Sequence, residues 1–223
     1  MILSDFQQEI IQKTSGFVRQ TLEGAEGGHD WWHIYRVWKL TKKIGAEEGA
    51  DLFVVELAAL LHDIADPKFH GGDEEIGPKI AKEFLENQNI SQEIIDHVDK
   101  IIRNISFKNS FQNAGFRSKE LDVVQDADRL DAIGAIGIAR AFNYGGFKNR
   151  QLYDPGITPN QSLTKEEYKN SVSPTINHFY EKLLLLKDLM NTATGKKMAE
   201  ERHRFMEIYL DKFYLEWEGE EKS

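Results

Sequence analysis

An apolar run, Leu57-Ala-Ala-Leu-Leu, ends in an adjacent His62-Asp63, and Asp66 follows ahead of Pro67. A histidine beside a carboxylate at the end of an apolar helix is costly to bury unless both groups find partners. A divalent cation is such a partner, so the chemistry open to this pair is metal binding. Two other stretches offer the remaining ligands. His33 lies in a helical stretch that begins at Asp30. Asp128 lies in Val123-Val-Gln-Asp-Ala-Asp-Arg-Leu-Asp-Ala-Ile-Gly, which is otherwise largely apolar. Each of these segments turns a metal-competent side chain toward the expected interior, where ionised groups are rarely left unpaired. Metal sites in helical bundles are built this way, from inward side chains on different helices. A histidine taken singly is more commonly structural, and that is the reading for His97, His178 and His203. The case rests on the combination.

The elements that must position these residues are helical, because nearly every segment with a clear period has the helical one. Residues 2–22 place Phe6, Ile10, Ile11, Phe17, Val18 and Leu22 on one side, with Ser4 or Asp5 as cap. Asp30 caps a helix through Glu48. Gly49 and Asp51 end that helix and start the next, over 52–65, which is apolar almost all round and therefore central. Residues 73–87 and 91–105 read as two more helices, the second capped by Ser91. Ser118 caps a long apolar helix over 119–142. Residues 143–160 carry glycines and prolines without a period, a long loop of the kind that carries function. Two last helices are predicted over 165–190 and 194–217. No run alternates with period two. The expectation is an all-α bundle forming a single domain, with a motif-bearing core over 25–142 and the C-terminal helices packed on it.

The chain has 223 residues, 40% of them hydrophobic, and a net charge of -9. That balance argues against general affinity for nucleic acid or an anionic membrane surface. It leaves room for a small anionic substrate, because a metal ion or an arginine overrides the global sign locally. There is no cysteine, so thiolate chemistry and disulfides are excluded. No signal peptide or membrane span is legible, and a cytoplasmic location is expected.

The order His33, His62-Asp63, Asp128 resembles the signature of the HD-domain metal-dependent phosphohydrolase superfamily. Longer strings narrow the resemblance to its small stand-alone bacterial subgroup, the YpgQ/YedJ-like proteins. These strings are Gly28-His-Asp-Trp-Trp-His-Ile-Tyr-Arg-Val, Leu60-Leu-His-Asp-Ile, Gln125-Asp-Ala-Asp-Arg-Leu-Asp-Ala-Ile-Gly-Ala-Ile-Gly, Tyr153-Asp-Pro, and Asn191-Thr followed by Ala199-Glu-Glu-Arg-His-Arg-Phe-Met. The resemblance implies an HD-domain helical bundle holding one divalent ion through His33, His62, Asp63 and Asp128. Two imidazoles and two carboxylates suit Mn²⁺, Fe²⁺, Co²⁺, Ni²⁺ or Zn²⁺, with Mg²⁺ also admissible, better than Ca²⁺. The superfamily places its last ligand in an Ala-Asp step, which selects Asp128 over Asp126 and Asp131. The adjacent histidine pair of two-metal members is missing from Ile101-Ile-Arg-Asn-Ile-Ser-Phe, so one metal is expected.

Around that ion the same resemblance, with helical spacing, assigns further roles. Asp66, on the face of His62 and Asp63 if their helix continues, is a candidate for proton transfer. Asp131, one turn beyond Asp128, is another. Asp126 projects elsewhere and caps or pairs with Arg129. Arg36 lies one turn beyond His33, and Lys68 follows the Asp66-Pro67 turn; both are candidate phosphate contacts. Lys148, Arg150 and Tyr153 on the long loop are candidates for a substrate clamp. Trp31 and Trp32 flank the first ligand, for core packing or for stacking on a base. The expected activity is hydrolysis of a phosphorylated substrate, a nucleotide by preference, as nucleoside triphosphate pyrophosphohydrolysis. The alternatives are a nucleoside-monophosphate phosphatase and a non-catalytic metal-containing nucleotide-binding module. The helical surface permits a homodimer.

Overall fold

The computed structural model describes residues 3–24, 30–65, 73, 75–105, 115–160 and 173–221. Among these residues it is all-α, with nine α-helices and no strand. In chain order they are α1 (Asp5–Thr21), α2 (Trp31–Glu48), α3 (Leu52–Leu61), α4 (Ile76–Glu86), α5 (Gln92–Asn104), α6 (Lys119–Asp131), α7 (Gly134–Phe147), α8 (Thr175–Glu181) and α9 (Ala193–Trp217). A 3₁₀ segment, Leu183–Leu189, separates the last two. The chain forms two compact units. The first is Met1–Asp128 with Asn191–Gly195; the second is Arg129–Met190 with Lys196–Ser223.

The first unit is organised around α3. Every residue from Phe53 to Leu61 is buried, as an all-round apolar helix demands. Helices α1, α2 and α5 pack directly on it, and α4 packs on α5. Each fully buried Leu or Ile contributes about 1.5 to 3 kcal/mol by leaving water. Gly45 lets α2 come close, since a Cβ there would stand 3.2 Å from Leu52 Cδ2 and 3.3 Å from Val55 Cγ2. The helix starts follow local capping. Ser4 and Gln7 form a reciprocal capping box on α1. Asp30 accepts from the His33 N–H on α2, and Asp51 accepts from Phe53 and Val54 on α3. At α5 Ser91 has the extended backbone of a cap but makes no side-chain capping bond, contrary to expectation.

The second unit is built from α7, α8, the 3₁₀ segment and most of α9. Helices α7 and α8 pack closely, because a Cβ at Gly145 would fall 2.2 Å from Thr175 Oγ1. The rings of Phe142 and Phe179 lie 6.0 Å apart, and Tyr209 stacks on Phe179 at 6.1 Å.

Three predicted helices are cut short. The stretch over 119–142 is two helices, because the chain leaves the helical conformation between Asp131 and Gly134, which takes φ +74° at the start of α7. Helix α7 then runs on through Phe147, into the predicted loop. The stretch over 165–190 is broken in its described part. Pro174 precedes α8, since proline lacks the N–H that a helix interior needs, and Lys182 (φ -145°, ψ -55°) separates α8 from the 3₁₀ segment. Finally, α3 stops at Leu61, short of the predicted Ala65.

Candidate metal centre

Three helices of the first unit carry the candidate ligands. His33 stands in the first turn of α2, held there by the Asp30 cap, whose carboxylate accepts from the His33 N–H at 2.9 Å. His62 is the C-cap residue of α3 and still has helical angles, φ -63° and ψ -28°. Asp63 follows it in the turn. Asp128 stands in the third turn of α6.

One ligand atom each from His33, His62 and Asp128 converges within 4.8 Å of the others. Asp128 Oδ1 lies 3.5 Å from His33 Nε2 and 3.8 Å from His62 Nε2. Asp63 Oδ2 lies 4.0 Å from His33 Nε2. The two imidazole rings meet edge to face, with centroids 5.4 Å apart. Atoms that bind one ion at about 2.1 Å stand roughly 3 to 3.5 Å from one another in octahedral or tetrahedral shells. The observed separations, 3.5, 3.8 and 4.0 Å, lie at or slightly above the upper end of that range.

The hydrogen bonding supports a cation at this point. His62 Nδ1 lies 2.9 Å from the Ala59 carbonyl oxygen and donates to it. That tautomer leaves Nε2 as a bare lone pair, aimed at a carboxylate oxygen that is also an acceptor. Two acceptors facing each other repel unless a cation or a proton lies between them. An imidazole oriented by a carbonyl at its other nitrogen is the usual arrangement of a metal-bound histidine. The imidazoles are buried, with side-chain exposures of 3% for His33 and 5% for His62, whereas Asp128 is 37% exposed. The cluster thus has a closed imidazole floor and an open carboxylate side, so the residues present fit a divalent ion with room for further ligands.

Arg36 is on α2, one turn beyond His33, and half-buried. Asp66 and Lys68 lie outside the described residues, as do His29 and His70. The premise that placed Asp66 on the face of His62 and Asp63 was a continuing helix, and α3 ends before them. Asp131 is 1% exposed, and its carboxylate is engaged by the Arg140 guanidinium of α7. The Arg129 guanidinium donates to the Leu189 carbonyl. Asp126 accepts from Asn191 and Thr192 at the start of α9. Neither Arg140 nor Asn191-Thr192 was singled out from the sequence as touching these aspartates. The Gly134 turn brings the first pair together, and a separation of 65 residues hides the second.

The loop candidates belong to the second unit. Lys148 Nζ lies 4.8 Å from the Phe147 ring centre, and the Arg150 guanidinium lies 5.6 Å from that of Tyr144. Tyr153 packs edge-on against Phe213, Tyr214 and Trp217. Of the two tryptophans beside the first ligand, Trp32 is 58% exposed and Trp31 is half-buried. His97 meets the Ser118 hydroxyl at 3.0 Å. His178 is half-buried, and its pKa is pushed down to about 3, chiefly by loss of solvation and then by the charges of Lys182 and Arg150.

A family model described as the HD domain matches residues 31–133. YpgQ of Bacillus subtilis (strain 168) is 40% identical over 193 residues, which cover 85% of this chain and 85% of YpgQ. Among solved structures, an HD-superfamily hydrolase from Bacillus thuringiensis matches with a TM-score of 0.76 at 46% identity, covering 95% of this chain and 98% of that one. The structure of B. subtilis YpgQ in complex with ADP matches with a TM-score of 0.73 at 38% identity, covering 93% and 95%. Among the described residues no helix is long and apolar enough to cross a membrane.

Proposed function

The chain belongs to the HD domain family, and on that premise we propose that it is a divalent-metal-dependent phosphohydrolase that cleaves nucleoside triphosphates to monophosphate and pyrophosphate. The observation that carries the proposal is the convergence of His33, His62 and Asp128 from three helices, with Asp63 beside them, on one point. The ADP complex of YpgQ supports a nucleotide as the class of substrate.

A divalent cation bound there supplies Lewis acidity toward a phosphoryl oxygen and lowers the pKa of water. His33 and His62 present Nε2 lone pairs from a dry floor. Asp63 and Asp128 offer carboxylate oxygens that offset cationic charge. Arg36, on the His33 helix, is the proposed guanidinium for the phosphoryl oxygens, with Lys68, Lys148, Arg150 and Tyr153 as further substrate contacts. Asp66 is the proposed proton acceptor for the attacking water, from its place just after Asp63 in the sequence. Asp131, already engaged by Arg140, is proposed to hold that guanidinium in place.

The test is incubation with a panel of nucleoside tri-, di- and monophosphates and simple phosphate esters in Mn²⁺, Co²⁺, Ni²⁺ or Mg²⁺, with products identified by mass. Monophosphate and pyrophosphate from triphosphates are expected. Release of inorganic phosphate alone, from monophosphates or stepwise from triphosphates, would replace this reaction with a phosphatase. No turnover of any substrate by metal-loaded protein would leave a binding module.

A further inference from the structure

The carboxylate of Asp126 is fully buried in the first unit, yet it is two residues from the ligand Asp128. One dipeptide donates four hydrogen bonds to it. The Asn191 N–H and the Asn191 side-chain amide donate to Oδ1 at 2.8 Å and 3.1 Å. The Thr192 N–H and hydroxyl donate to Oδ2 at 2.8 Å and 2.7 Å. The Thr192 hydroxyl oxygen in turn accepts from the Gly195 N–H at 2.9 Å. Gly195 has no room for a side chain, since a Cβ there would stand 2.3 Å from Asp126 Oδ2. Gln125, the neighbouring residue, donates to the Asn104 carbonyl and accepts from the Asn191 amide. The same segment reaches α2, where Glu48 Oε1 accepts from the Thr194 N–H at 2.7 Å. Thus Asn191–Gly195 ties together α6, which carries Asp128, and α2, which carries His33.

Successive residues of a helix are turned by about 100°, so Asp126 and Asp128 point about 200° apart, to nearly opposite sides of α6. A clamp on one side therefore sets the roll of the helix that aims the other. An atom about 6 Å from the helix axis moves roughly 1 Å for a roll of about 10°. Ligand sets need placement within about 0.5 Å. Glu48 lies at the far end of α2 from His33, so its leverage on a ligand is smaller.

We propose that Asp126, clamped by Asn191 and Thr192, is a positioning residue for Asp128, and that the Asn191–Gly195 segment sets metal affinity without touching the metal. This rests on the metal-centre reading above. The test is calorimetric titration of the full-length protein with Mn²⁺, with thermal melting of the same samples. Variants are Asp126→Asn, which places an amide N–H among four donors, and Thr192→Val, which removes only the hydroxyl. Val18→Ala, a buried cavity change on α1, serves as a destabilised control. Mn²⁺ binding weaker by on the order of tenfold is expected for both clamp variants while they remain folded. The control should keep wild-type affinity at a comparable loss in melting temperature. Unchanged affinity in the folded clamp variants, or equal weakening in the control, would overturn the proposal. If either clamp variant does not fold, the other decides. Absence of Mn²⁺ binding by the wild-type protein would overturn the metal-centre reading itself, a result distinct from loss in the clamp variants alone.

Discussion

His62 donates its Nδ1 proton to the Ala59 carbonyl oxygen, 2.9 Å away and one turn back on the same helix. A backbone carbonyl at the end of α3 is one of the orphan acceptors of a helix terminus, so this bond satisfies the helix and selects the imidazole tautomer at once. That tautomer leaves the Nε2 lone pair open to the proposed metal ion.

His62→Ala should therefore abolish stoichiometric binding of divalent metal, and Asp128→Ala should weaken it strongly. Elemental analysis of purified, dialysed protein checks this. The helical circular dichroism should be retained, since the His62 side chain is at the edge of the cluster and α3 is held by the apolar contacts of Phe53 to Leu61. Undiminished metal content in both variants would sink the proposed centre.

Arg140→Ala should destabilise the protein by about 2 kcal/mol in urea denaturation, because it removes a charged hydrogen-bond partner from the buried Asp131 carboxylate. Adding Asp131→Asn should recover part of that loss, giving a non-additive double-mutant cycle. A cost below about 1 kcal/mol for Arg140→Ala, the range of a surface ion pair, would show that the pair does not matter to the fold.

Gly134 takes φ +74°, and a Cβ there would stand 2.9 Å from Arg202 Cγ and 3.0 Å from Arg202 Cβ. Gly24 also has a positive φ, +80°, but open space around it. Gly24→Ala should cost about 1 kcal/mol from backbone strain alone. Gly134→Ala should cost more, on the order of 2 to 3 kcal/mol, because the Arg202 stem must also give way. Melting temperatures of the two variants side by side check the order.

His178 supplies a pH dependence with a definite sign. Its pKa falls from the ordinary 6.5 to about 3 in the folded protein, through burial and then the charges of Lys182 and Arg150. Between these values the unfolded chain binds the proton and the folded one does not. Stability is fully present above pH 6.5 and declines as the pH falls toward 3, by at most about 1.4 kcal/mol per pH unit from this group. Urea denaturation at pH 7.5 and pH 5 should show the loss, and His178→Gln should flatten it. An unchanged slope in that variant would assign the dependence elsewhere.

Much of this protein is written locally. The caps at Ser4, Asp30 and Asp51, the all-round apolar stretch of α3 and the left-handed Gly49 act within a few residues, and each appears where its spacing places it. The candidate ligands stood out for the same reason: His33, His62, Asp63 and Asp128 are ionisable groups set in apolar helical surroundings. Asp131 and Asp126 were not legible in the same way, though both sit in the same helix as Asp128. Their roles follow from partners outside their own helix: the Arg140 guanidinium beyond a glycine turn, and Asn191-Thr192 at the start of α9. Helical periodicity says which residues share a face, but a buried carboxylate is defined by the donors that reach it. Those donors are brought in by packing, which alone turned three neighbouring aspartates into a ligand candidate, an ion-pair partner and a clamp.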